Sequence, residues 1–239
     1  MKNFFLILLF SSFLGLFGCS SLELESISSS KEETQRILSL GLTHEENLIE
    51  ASKLKTPHMV SVVSLQLTNA RDEKIQAELD NIEANKFADL VITSQDKTEF
   101  TGPEITNLVK TGILAIESDI QSFYLRGLKD INNGSVSHQL YVSISHNSKA
   151  KRHYISANFC DKWNRCDENK KEIFIVSENA SNCSNYNCDF KEIFKMNLNS
   201  EVLKSSLNKG LIVRFNSENS FNKVSISAPY LIGYFKIVK

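Results

Sequence analysis

Four cysteines, Cys160, Cys166, Cys183 and Cys188, lie in two short segments, "FCDKWNRCD" and "NCSNYNCDF". Thiols so placed can bridge, hold a metal or attack. Attack needs C-x-x-C or an activated thiol, and neither segment has one. Zinc cysteines usually come as C-x2–4-C, and here the gaps are five and four residues. Bridging needs an oxidising compartment, which the rest of the chain must supply. The histidines offer less. His138 and His146 would share one face of a strand, about 26 Å apart, too far for one ion. His146 and His153 would face each other if "SKAK" is a hairpin loop, with Cβ atoms about 5 Å apart. They are weak metal candidates. Only two ligands are apparent, and Lys149, Lys151 and Arg152 would repel a cation. The plain reading is a solvated hairpin with no metal.

The compartment is written at the start of the chain. Met1, Lys2 and Asn3 form a short positive opening, and Phe4–Phe17 is apolar apart from Ser11, Ser12 and Gly15. That core is shorter than the roughly 20 residues a membrane span takes, and it fits a secretory signal. It ends Leu16-Phe17-Gly18-Cys19, which resembles the lipobox of bacterial lipoproteins. The resemblance covers these nineteen residues and implies a diacylglyceryl group on the Cys19 thiol, cleavage before Cys19 and acylation of the new amine, commonly by palmitate. Ser20, where Gram-negative lipoproteins retained at the inner membrane commonly have Asp, implies the outer membrane. Two or more acyl chains anchor firmly where one does not.

Removing residues 1–18 leaves 221 of the 239 residues, enough for a substantial core. It takes one of 27 basic residues, Lys2, and leaves a balance of −2 against 28 acidic ones. Such a balance argues against nucleic acid as a partner. Residues 19–30, with the serine-rich "SSLELESISSS" after Cys19, read as a flexible tether. Residues 31–121 read as a helix-rich α/β part. Thr43 and Glu46 make a capping box, and Gly41 separates two short helices. "HMVSVVSLQL" and "FADLVITS" read as strands. Between them Asn69 caps a helix carrying Ile75, Leu79 and Ile82 at i, i+4 and i+7. Pro103 opens a further helix buried through Ile105, Leu108, Val109, Ile116 and Ile120.

From residue 122 to 239 strands dominate. They are predicted at Ser122–Leu128, His138–His146, Arg152–Phe159, Glu172–Glu178, Lys191–Leu198, Leu211–Asn216, Lys223–Ala228 and Leu231–Val238. "SEVLKSSLNKG" is one short helix ending at Gly210. The fold class is therefore α+β: N-terminal helices and two strands, then an antiparallel β-sheet or sandwich, with 31–239 able to form one domain. The even cysteine count and the exported chain favour disulfides. In an up-and-down meander the two cysteine loops would sit at opposite ends of Glu172–Glu178, about 23 Å apart. A disulfide needs Cα atoms within about 7 Å, so the expected pairs are Cys160–Cys166 and Cys183–Cys188. Trp163, inside the first ring, is expected to pack that ring against the sheet; the alternative is an exposed docking aromatic.

No complete catalytic constellation is visible. "KTG" at Lys110–Gly112 precedes Ser145-His-Asn147, the reverse of the order in penicillin-recognising enzymes. "HEENL" at His44 lacks the second histidine of a zinc protease. The expected function is a lipid-anchored bacterial envelope protein, a non-catalytic binding or assembly module. Its expected partners are the membrane, through its lipid, and another envelope protein or polymer, with no cofactor. The alternatives are an enzyme acting on an envelope or extracellular substrate, and a small-ligand or metal binder.

Overall fold

The computed structural model describes residues 19–106 and 119–238, and over 19–28 the backbone alone. The signal stretch, and Leu108, Val109 and Ile116 of the expected third helix, lie outside them. The chain divides into two compact units, 1–76 and 77–239, where the change of pattern in the sequence falls at 121/122.

In the first unit α1 runs Cys19–Leu38 and α2 His44–Ser52. The stretch 20–30, a tether by composition, is helical and continuous with the rest of α1. Gly41, at φ +67°, makes the turn between α1 and α2. The capping box forms: Glu46 N–H donates to Thr43 Oγ1 at 3.3 Å, and Thr43 N–H to Glu46 Oε2 at 2.8 Å. The bonds that Thr43 N–H, and then its hydroxyl, donate to Oε2 hold the Glu46 carboxyl below its usual range. The next helix, α3, spans Pro57–Asp89. Its first turns are the "HMVSVVSLQL" that a β-branched run predicts as a strand. Packing overrides that propensity, because Val63 and Leu67 lie four apart and join Ile37 and Ala51 in a small core with Met59 beside it. Thr56 accepts from Met59 N–H at 3.2 Å, with Pro57 at the first helical position. Asn69 is therefore inside a helix rather than at its start. Ile75, Leu79 and Ile82, which recur at helical spacing, are exposed.

The second unit holds two antiparallel sheets. The larger comprises β1 (Ile92–Thr93), β2 (Glu99–Thr101), β3 (Ile105–Thr106), β4 (Ile120–Lys129), β5 (Val136–Ser148), β7 (Phe174–Ser181) and β8 (Cys188–Leu198). Its order is β1-β2-β4-β5-β8-β7, with β3 also on β4. The smaller comprises β6 (Tyr154–Cys160), β9 (Leu211–Ser217) and β10 (Phe221–Ile226), in the order β10-β9-β6. Among the described residues it also holds the last part of α3 and two further helices, α4 (Ser200–Ser205) and α5 (Ala228–Ile237). One core takes Leu125, Leu140, Phe194 and Met196 from the larger sheet, Val213 and Phe215 from the smaller, and Tyr230 and Tyr234 from α5. This is the expected α+β class with its two disulfides, Cys160–Cys166 and Cys183–Cys188.

Four local expectations give way. Leu231–Val238 is not a last strand but most of α5, capped by Ser227 with Pro229 in its first turn. "FADLVITS" contributes only Ile92–Thr93 as strand, since Phe87–Asp89 finish α3. Pro103 opens no helix at Ile105, because β3 lies there and Ile120 begins β4. The meander also fails, because β6 crosses to the other sheet and β5 pairs with β8. The local cysteine pairs hold without it: the second closes the turn between the paired strands β7 and β8, and the first closes the turn after β6.

Candidate functional site

The larger sheet presents an open cleft of about 540 Å³ on the face away from the core, within the usual range for small-molecule sites. Strand alternation explains its lining. Along β4, Phe123 and Leu125 enter the core, so Ser122 and Tyr124 face the cleft; along β5, Tyr141 and Ser143 do the same. Ser122 and Ser143 are register partners, as are Tyr124 and Tyr141. A bulge between Ile120 and Ser122 breaks the alternation there, and Ile120, Gln121 and Ser122 all reach the cleft. Lys191 and Glu104 bring one amine and one carboxylate.

A stacked row runs along one side. The Tyr124 and Tyr141 rings lie 4.9 Å apart and 7° from parallel. Lys195 Nζ stands 5.9 Å from the Tyr141 ring centroid. Arg126 donates to Tyr141 Oη at 3.4 Å and to Glu99 Oε2 at 2.8 Å. Burial, and then the neighbouring Tyr141, push the Tyr124 phenol upward, so it stays a donor at neutral pH.

The second feature is the sheet's edge. β7 pairs with β8 on one side and is the last strand of the sheet's order. Phe174, Ile175 and Val176 are 38%, 46% and 50% exposed. Natural edges are normally blunted by charge, bulges or cover. Here a bulge falls between Ile175 and Ser177, yet three consecutive apolar side chains remain in water.

The histidines divide. His146 is buried; its Nε2 lies 3.2 Å from Glu192 Oε1 and its Nδ1 3.0 Å from Ser148 Oγ. His153 is exposed with φ +52°. The hairpin that would pair them does not form, since β6 bonds to β9. Two of the three cations expected to repel a metal are engaged, Lys151 with Glu178 and Arg152 with Asp119. Among the described residues no three His, Cys, Asp or Glu side chains gather as a metal site. His138 is buried against Tyr234 Oη at 3.0 Å, and burial holds its pKa below the usual value.

The order Ser148–His146–Glu192 has the composition of an acyl-transfer triad, but its proton runs the wrong way. Ser148 Oγ donates to Ala150 O at 2.6 Å, so the imidazole Nδ1–H donates to the serine. The serine is held, not activated. Trp163 does not pack its ring against the sheet. It is 70% exposed, with Lys162 Nζ 5.3 Å from its ring centroid.

Sequence patterning missed the cleft and the edge. Both depend on strand order and register, and only the period-2 alternation of β4 and β5 carried a trace of them. Among the described residues no helix is long and apolar enough to cross a membrane. Compared with family models, curated proteins and solved structures, the chain matches none.

Proposed function

We propose that this chain is a lipid-anchored bacterial envelope protein, held by Cys19, most simply at the outer membrane. It acts as a non-catalytic module that docks another envelope polypeptide. The observation that carries the reading is the outer edge of β7, which pairs with no further strand among the described residues and holds Phe174, Ile175 and Val176 in solvent. An extended segment added to such an edge gains main-chain hydrogen bonds, and alternate side chains supply specificity. The cleft supports the binding reading through its lining: among the described residues it brings together hydroxyls, an amide, one carboxylate and one amine. α1 runs from Cys19, and residues 19–28, at about 1.5 Å per residue, give about 15 Å of helix before its buried part at Ser30, Thr34 and Ile37, a spacer between lipid and fold.

Two experiments test this. Cys19→Ser is expected to abolish incorporation of labelled palmitate and move the protein out of the membrane fraction. Unchanged fractionation would remove the anchor. A photo-crosslinking amino acid at Phe174, in intact cells, is expected to give one discrete adduct that the same probe at exposed Ser225 does not. Val176→Lys should cut that adduct at least about tenfold, because a buried unpaired ammonium opposes strand addition. The same adducts at both positions, or none at Phe174, would refute the docking edge.

A further inference from the structure

We propose that the cleft on the outward face of the larger sheet binds a neutral saccharide. The proposal does not depend on the β7 edge.

The lining selects the ligand by elimination and then by fit. A phosphate or nucleotide needs several donors of positive charge; among the described residues Lys191 is the cleft's one amine and Glu104 opposes it. A divalent cation needs several oxygen ligands with negative charge, and among the described residues the cleft has one carboxylate. An apolar ligand wants a closed, greasy cavity, and this cleft is open and lined with hydroxyls and an amide. What remains is a molecule that alternates hydroxyl groups with C–H patches and carries no charge. Ser122, Ser143 and Gln121 can each both donate and accept. Tyr124 brings an aromatic ring, held in place by its stack on Tyr141, while Ile120 and Ile193 give two apolar contacts.

Ser143 adds an independent sign. Its Oγ is buried and has no hydrogen-bond partner among the described residues, although it lines the cleft. A buried hydroxyl left unmatched costs free energy, and native structures rarely keep one without a reason. The bulge at Gln121 is a second. It interrupts the ladder at the start of the β4–β5 pairing, and Gln121 and Ser122 both line the same cleft.

The test uses the full chain, purified in a detergent without a sugar headgroup, and three probes at millimolar concentration: maltose, cellobiose and N,N′-diacetylchitobiose. Saturation-transfer NMR is expected to show contact with at least one. Ser143→Ala should weaken that binding about three- to tenfold, one neutral hydrogen bond's worth. Its thermal midpoint should stay level or rise, since the unmatched hydroxyl is gone. Tyr124→Ala should weaken binding about tenfold or more. No transfer to any of the three sugars would overturn the proposal. So would binding that survives both substitutions, which would place the sugar elsewhere. In every case the Phe174 crosslink should be unaffected, so failure here leaves the docking edge standing.

Discussion

Tyr230→Ala is expected to cost about 3–5 kcal/mol, the range for deleting a large buried aromatic side chain. That is a large share of the 5–15 kcal/mol that usually holds a domain together. The residue is 1% exposed, and its ring meets Phe87 at 5.3 Å and Phe123 at 6.0 Å. Its hydroxyl accepts from Leu125 N–H at 3.0 Å and donates to Pro103 O at 3.0 Å. Burial pushes that phenol far above its usual range, so the donor persists at any ordinary pH. Gly102 makes room for it: a Cβ there would lie 2.5 Å from the hydroxyl oxygen. Tyr230→Phe keeps the ring and strands one buried and one half-buried backbone group, so it should cost about 1–3 kcal/mol. Urea unfolding of the two variants against the wild type separates ring from hydroxyl. Equal losses in both would mean that ring packing contributes nothing beyond the hydrogen bonds.

Tyr230 also shows where the sequence stops being legible. Strands β4, β5, β8 and β9 are readable because each buries one face, so apolar residues alternate with polar ones, as in Leu140, Val142 and Ile144 of β5. α5 is apolar nearly all round, "APYLIGYFKI", and such a segment has no dominant period. Its β-branched and aromatic content then suggests a strand. The deciding signals are Ser227 as N-cap and Pro229 beside it, which propensity outweighs unless the cap is weighed first. The same holds at Thr56-Pro57 before α3.

The cysteine pairs were legible, though not through the meander that set the two loops apart, for each pair closes a single turn, one after β6 and one between β7 and β8. The cleft and the edge were not. Ser122, Ser143 and Lys191 come from three strands, and their meeting depends on β5 pairing with both β4 and β8. No local rule states that β6, next in the chain, goes to another sheet. That crossover leaves β8 beside β5 and puts β7 at the edge.

The buried pair His146–Glu192 joins side chains 46 residues apart, and it carries the second large effect. Both side chains are 1% exposed. Since His146 Nδ1–H donates to Ser148, the contact between Nε2 and Oε1 holds a single proton. Glu192 Oε2 has no partner among the described residues, so the imidazole is the carboxyl group's one match there. His146→Leu removes that match and leaves an acidic group alone in the core, at an expected cost of about 3–5 kcal/mol. The double variant with Glu192→Leu removes both groups and restores apolar packing against Phe190, whose ring lies 5.4 Å from the imidazole. It should regain most of the loss and can exceed the wild type by about 1–4 kcal/mol, as replaced buried pairs often do. Chemical denaturation of the four proteins gives the coupling directly. Additive single losses would mean that the two groups do not share a proton and that each is stabilised by something else.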